Sequence, residues 1–374
     1  MAVALPAGYK AGVQRDRAVD WARGVAALAM IEGHATHGWA SEAARQSAAY
    51  GVTRLVATSP LPAFMLLAGM ALRLRVGAAE ARGEGASALR RSIARRGMTV
   101  LLWGYASSVL YALLDGHQGL RTLLRADVLH VIGLSIASVA WLCVAGGAGV
   151  CAAAATRRAL WLSLAVMVLS PLYYGLGVGP AEGSALGYLL APLIRVPGVT
   201  IFPLLPMLVW TTLGFAVGDV LARARQRHSL ERVYGSLAAL ALAVAICCQW
   251  LQRWLLGDGG VLDYVHPAAI PNAVGYAARG LVLIGVGPLL VARLPAGVQD
   301  RVTRLGQASL VAYIVHIPFC YGLPSRPLKG SLGMLECVPW VLSLWLLSYA
   351  AIAVVERVGQ RGRELRQLRG PAHS

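Results

Sequence analysis

The sequence is short of charge. Only 14% of its 374 residues are Asp, Glu, Lys or Arg, while 57% are hydrophobic and the mean hydropathy is +0.61. Soluble domains carry roughly a quarter charged residues. The deficit runs the whole length of the chain, which excludes an ordinary soluble protein. Length alone would allow one to three soluble domains, but no polar stretch is long enough to make one. No cleavable signal peptide is evident. Residues 1–17 are mixed in polarity, and the first apolar run is longer than a signal core and holds charged residues. No internal repeat is found, which argues against an inverted-repeat transporter. The His, Cys, Asp and Glu residues show no metal-ligand spacing, so no metal is expected. Six cysteines are present; Cys143, Cys151, Cys247 and Cys248 sit inside apolar runs as small hydrophobes. Cys320 and Cys337 fall near or within the last two apolar runs, where a pairing stays open.

What is present is a series of apolar stretches, each long enough to cross about 30 Å of hydrocarbon. They predict spans at 19–38, 55–74, 98–114, 128–155, 159–176, 199–222, 233–256, 273–292, 305–323 and 332–355. The fold class is therefore an all-α integral membrane protein of about ten transmembrane helices in one bundle. The fourth span ends in a Gly/Ala-rich stretch with Gly146, Gly147 and Gly149, either one tilted helix or one with an extra surface turn. Residues 186–196 are apolar but too short to cross. Residues 1–17 form a tail, 18–356 the membrane domain and 357–374 a basic second tail.

A net charge of +17 with a pI near 10.3 would fit nucleic acid, but the basic residues lie between apolar spans, so a bilayer is the expected partner and nucleic acid is not. Of the 34 Lys and Arg, 24 fall on the side of the N-terminus and 8 on the other, with Arg23 and Arg279 inside spans. Positive charge stays inside, so both termini are expected in the cytoplasm of a multi-pass protein.

Ionisable residues inside a membrane are costly and mark function by default. The first span holds Asp20, Arg23, Glu32, His34 and His37. Asp20 and Arg23 are three apart and can pair on one helical face. Arg23 and His34 are eleven apart, three turns up the same face and about 16 Å along the axis. A buried neutral imidazole suits a general base, and Glu32 could orient or compensate it. His37 lies one turn further out. Asp127 and His130, three apart at the start of the fourth span, read either as a second acid–base pair or as a helix cap. Tyr313 and His316 share the ninth span; His316 could line the same cavity as His34 or bond to another helix. The stretch Arg90, Arg91, Arg95 and Arg96 serves either phosphate contacts or plain membrane orientation. Asp258, Asp263 and His266 read as solvated loop residues.

Arg23, ten intervening residues and His34 resemble the Arg-X10-His signature of the family three membrane acyltransferases. The run Arg23-Gly24-Val25-Ala26-Ala27-Leu28-Ala29-Met30 is similar to the opening of heparan-alpha-glucosaminide N-acetyltransferase-like bacterial proteins. So are Pro60-Leu-Pro62-Ala-Phe64 with Gly69, Asp127-Val-Leu-His130 with Gly133, Phe202-Pro203-Leu-Leu-Pro206 with Gly214 and Gly218, and Gly306-Gln-Ala-Ser309-Leu310-Val-Ala-Tyr313-Ile-Val-His316. The resemblance implies ten or eleven helices, a cytoplasmic acyl-CoA donor (acetyl-CoA first) and an acceptor that is often a sugar or glycan. One departure concerns the lysosomal member, which uses a histidine of the first luminal loop; residues 41–53 hold none. The catalytic role therefore falls on His34, helped by Glu32, Asp127 and His130. Arg23, Arg95 and Arg96 are expected to hold the donor, and His37, His316 and Tyr313 the acceptor. A homo-oligomer is compatible with this reading. A transporter or flippase for a polar or lipid-linked substrate, and a non-catalytic scaffold, are the competing readings.

Overall fold

A computed structural model describes residues 17–115, 123–144, 149–175, 184–196, 199–256, 269–291 and 293–368. Asp258, Asp263, His266, Gly146, Gly147 and all but one residue of the N-terminal tail lie outside them. Among the described residues the protein is all helical: α1 (Arg17–Trp39), α2 (Glu42–Arg45), α3 (Ala48–Ala57), α4 (Pro60–Ala81), α5 (Ala86–Asp115), α6 (Val128–Cys143), α7 (Ala152–Gly175), α8 (Ala185–Leu190), α9 (Leu204–Gln226), α10 (Leu230–Leu256), α11 (Ala269–Val291), α12 (Ala296–Gln307), α13 (Ser309–Tyr321) and α14 (Met334–Leu368). Seven stretches are long and apolar enough to cross a membrane: Ala48–Ala81, Ala86–Leu114, Ala152–Tyr173, Leu204–Gln226, Leu230–Gln252, Ala273–Val291 and Met334–Arg361. Val128–Cys143 and Ser309–Tyr321 are shorter apolar helices. Their outward side chains form an apolar coat, with Leu102, Leu113, Trp161, Leu172, Leu240, Trp250 and Leu346 all exposed. The six cysteines are free.

These helices and α1 fall where spans were expected; several ends shift, with α5 opening at Ala86 rather than 98 and α14 running to Leu368 rather than 355, and three spans are divided differently. The fourth span does not run to residue 155. Val144 leaves helical geometry at φ −92°, ψ 36°, and Arg158 donates to the freed Cys143 carbonyl at 3.3 Å, so residues 152–155 open α7 instead. The ninth span is two helices. Ala308 breaks it at φ −110°, and α12 is amphipathic, with Val302, Thr303, Leu305 and Gly306 buried and Asp300, Arg301 and Arg304 exposed. The second is interrupted at Thr58–Ser59, where Pro60 opens α4 at a position that needs no N–H donor. Residues 186–196 hold only the short α8.

The described residues cluster into two compact units, one from 17–54 and 296–368, the other from 55–295. In the second, α4 and α9 approach so closely that a Cβ on Gly69 would overlap the Thr211 carbonyl, and one on Gly214 the Leu66 carbonyl. Small residues are what let helices associate in lipid, where no hydrophobic force draws them together. Polar groups then bond across the contact. Arg73 Nε donates to Asp219 Oδ1 at 2.8 Å, Arg223 Nη2 reaches Asp219 Oδ2 at 2.7 Å, and Ser163 and Thr212 hydroxyls meet at 2.6 Å. Beyond the end of α4, Glu84 accepts from Arg75 at 2.9 Å through both oxygens. That hydrogen-bonded guanidinium, joined by Arg82, holds the Glu84 carboxyl below its usual range. The clamp is therefore complete at neutral pH and is lost only as pH falls through that lowered value.

Gly214→Val should lower the thermal midpoint of the detergent-solubilised protein, at a cost of about 1–3 kcal/mol or more from overpacking against main chain. Gly235→Ala, where an added Cβ meets nothing within 4 Å, should leave it unchanged or raise it. Equal loss in both would refute the close-approach argument.

Candidate functional site

The site is built on α1. This helix is buried nearly all round, including Trp21, Ala22, Ala26, Ala27, Ile31 and Ala35, which marks a central rather than a lipid-facing element. Its companions are α12, α13 and α14. Gly24 and Gly306 set the first contact: a Cβ on Gly24 would overlap the Val302 carbonyl, and one on Gly306 the Asp20 carbonyl. Further along, Trp39 Nε1 donates to the Phe319 carbonyl at 3.2 Å and Trp345 Nε1 to the Leu28 carbonyl at 3.3 Å, which tie α1 to α13 and α14. Arg304 pairs with Glu356, its Nε donating at 3.1 Å, and Arg17 pairs with Asp300.

Two polar clusters lie along α1. Near its start the buried Asp20 carboxylate accepts from Arg23 Nη1 at 3.0 Å and from Gln307 Nε2 at 3.1 Å. The expected Asp20–Arg23 pair is present, and Gln307 completes it from α12. Three turns on, His34 Nδ1 lies 2.8 Å from His316 Nε2. The ring centroids are 5.1 Å apart and the planes differ by 8°, so the imidazoles meet edge to edge in nearly one plane. His316 is fully buried, and its Nδ1 is 2.8 Å from the Ala312 carbonyl.

This chain dictates the tautomers. A carbonyl only accepts, so His316 carries its proton on Nδ1 and presents a lone pair at Nε2. That lone pair must accept the Nδ1–H of His34. The neutral His34 is then left with an unprotonated Nε2, the atom a general base needs. The ring is partly exposed, unlike that of His316.

The other expected residues divide clearly. His37 is exposed, with Nδ1 3.4 Å from the Tyr321 hydroxyl. Tyr313 is buried with its ring edge-on to His316 at 5.8 Å. Tyr321, which the sequence reading passed over, stands edge-on to both His34 (5.7 Å) and His37 (6.1 Å). Its signal was its place eight residues after Tyr313, two turns along one face. No hydrogen bond joins Glu32 to His34 among the described residues; residues two apart on a helix do not face each other. Asp127 and His130 belong to the second unit and form a capping box. Asp127 Oδ1 accepts from the Val128 N–H at 2.6 Å, and His130 Nδ1 accepts from the Asp127 N–H at 3.1 Å. The neutral His130 therefore carries its proton on Nε2, a buried donor with no partner among the described residues. Its ring lies over the bare face of Gly104, edge-on to Tyr105. Arg95 and Arg96 are exposed on the first turns of α5, and among the described residues no carboxylate pairs with either. Arg90 instead covers the Trp141 ring at 4.6 Å. No group of three or more His, Cys, Asp or Glu among the described residues is placed to hold a metal ion.

The family model described as an acyltransferase domain, that of acyltransferase family 3, matches residues 16–355. No curated protein is similar enough to the sequence to count as a match.

Nitrogen-15 NMR of histidine-labelled protein should show His34 protonated on Nδ1 and bare on Nε2. In His316→Ala that preference should fall away, because the Nδ1–H loses its acceptor. A wild-type His34 protonated on Nε2 would refute the chain.

Proposed function

The chain belongs to acyltransferase family 3, and from that premise we propose that it moves an acyl group, acetyl first, from cytoplasmic acyl-CoA to a hydroxyl or amine acceptor. The observation that carries the reading is the imidazole chain, which leaves one bare nitrogen on His34 and backs it with His316 and the Ala312 carbonyl.

Acyl transfer from a thioester needs a base for the acceptor proton and an orientation for that base. His34 Nε2 takes the proton as the acceptor oxygen or nitrogen attacks the thioester carbonyl. The carbonyl carbon passes through a tetrahedral intermediate, the carbon–sulfur bond breaks, and the departing thiolate takes the proton back from the imidazolium. His316 stabilises the transient charge by keeping the His34 Nδ1–H bonded, a positioning role in place of the acceptor contact expected from sequence. Tyr321 stands edge-on to the His34 ring and to His37, and Glu32, two residues before His34, makes no hydrogen bond to it among the described residues. In the second unit Asp127 is committed to its helix cap. His130 keeps a neutral N–H on Nε2, suited to polarise a carbonyl or hydroxyl of a bound group.

Arg23 is a candidate for the donor's phosphates through charge-assisted hydrogen bonds, with Asp20 and Gln307 fixing its end of α1. About 16 Å of helix separates it from His34, comparable with the reach of an extended pantetheine arm. Arg95 and Arg96, in the second unit, are exposed and unneutralised by any carboxylate among the described residues, which suits an anionic group. The resemblance to the heparan-alpha-glucosaminide N-acetyltransferase-like branch favours a sugar or glycan acceptor. The excess of basic residues on one side supports both termini in the cytoplasm, and the resemblance to bacterial proteins favours a bacterial inner membrane.

His34→Ala, in protein that still folds, should cut acceptor-dependent thiol release from acetyl-CoA by about 10²–10⁴-fold. Turnover at the wild-type rate would remove the base assignment. Arg23→Ala should raise the apparent KM for acetyl-CoA more than it lowers kcat; an unchanged KM would argue against the phosphate contact.

A further inference from the structure

The second unit holds a cation that the acyl-transfer reading does not use. Arg279 is the eleventh of the 23 residues of α11, inside the apolar stretch Ala273–Val291. Its Nη1 donates to Thr58 Oγ1 at 3.1 Å and its Nη2 to Gln249 Oε1 at 3.2 Å. Its guanidinium lies over the Tyr276 ring, 4.9 Å from the centroid. Among the described residues no carboxylate pairs with it.

The contrast with the other charged side chains is informative. Arg73 and Arg223 share Asp219, Arg23 has Asp20, and Arg75 has Glu84. The partners of Arg279 satisfy hydrogen-bond donors, but none of them is a carboxylate that would offset its charge. A guanidinium in a low-dielectric span without a counter-charge is costly and marks a function by default. It is partly buried, and two of its five N–H donors meet side-chain oxygens. Its planar fork matches an oxyanion, phosphate or carboxylate, in a bidentate manner.

The surroundings say how such an anion would arrive. Thr58 follows α3, one turn after Leu55, to whose carbonyl its hydroxyl donates at 2.7 Å. Leu55 and Val56 are exposed. Gln249 sits on α10 one turn after Ile246 and beside Trp250, which are 60% and 68% exposed. These large apolar side chains face outward on both helices that hold the partners of Arg279. The approach is therefore lined for hydrocarbon on both flanks.

We infer that Arg279, with Thr58, Gln249 and Tyr276, forms a binding site for the oxyanion head of an amphiphile whose apolar tail lies along Leu55, Val56 and the outward face of α10. The head is shared by a lipid of the surrounding bilayer and by a dedicated anionic lipid-like ligand. The site does not depend on the His34 chemistry and is read without it.

The test uses the full-length protein in phosphatidylcholine nanodiscs with dodecyl phosphate as probe. Wild type should show a saturable rise in thermal midpoint. Arg279→Gln should weaken the apparent affinity by about tenfold or more, and Arg279→Lys by less. Thr58→Val with Gln249→Leu removes the two oxygens that aim the guanidinium and should also weaken the apparent affinity, which covers the case that Arg279→Gln does not fold. If phosphatidylglycerol nanodiscs alone give the same Arg279-dependent rise, the head belongs to bulk lipid; if only the added probe does, it belongs to a dedicated ligand. An equal rise with dodecanol, an equal rise with inorganic phosphate, or a rise that survives Arg279→Gln overturns the proposal.

Discussion

Inside a bilayer a polar group has no water to turn to, so its partner has to be another part of the protein. That constraint explains most side-chain contacts seen here. Serine and threonine hydroxyls fold back on carbonyls of their own helices, as Thr36 does to Glu32, Thr156 to Ala152 and Ser348 to Leu344. Asp219 draws two arginines, and Asp20 draws Arg23 and Gln307. The His34–His316 pair obeys the same rule in its most demanding form. Each ring has one donor and one acceptor, and the chain uses up every one of them except a single lone pair.

Such contacts need backbones at short range, which large side chains forbid. The protein meets this with bare positions where helices cross, at Gly24 against Val302, Gly306 against Asp20 and Gly69 against Thr211. The same residues that look inert in the sequence hold the reactive ones in register. Gly306 brings α12 onto α1 next to Asp20, one residue before Gln307 donates to that carboxylate. The bulk is displaced outward, where leucines and tryptophans meet lipid.

The membrane class and the place of each apolar stretch were legible because hydropathy sums over about twenty residues and tolerates local error. Helix ends were not, for the same reason. A window cannot see that Arg158 takes over the Cys143 carbonyl, nor that Ala308 turns the chain between an amphipathic α12 and an apolar α13. That Arg23 and His34 lie on one helix was readable, because within an apolar run spacing alone sets the face. The partner of His34 was not, since His316 is 282 positions away and no periodicity reports which helices meet. For His316 the sequence left open a place lining a cavity and a bond to another helix; it bonds to α1, and the direction of its two hydrogen bonds is a property of coordinates rather than of spacing. Asp127 and His130 illustrate the reverse case, where a spacing of three admitted both a cap and an acid–base pair and the cap is what the helix makes.

The imidazole chain ends on main chain. Ala312 contributes only its carbonyl, a group that every amino acid possesses and that does not ionise in the working range of an enzyme. Any replacement that leaves the helix intact therefore preserves the anchor, whatever its side chain. If His34 works as the proposed base, a hydrogen ion captured at its open nitrogen finds no onward acceptor in that carbonyl, which can receive a hydrogen bond but has no proton to hand on.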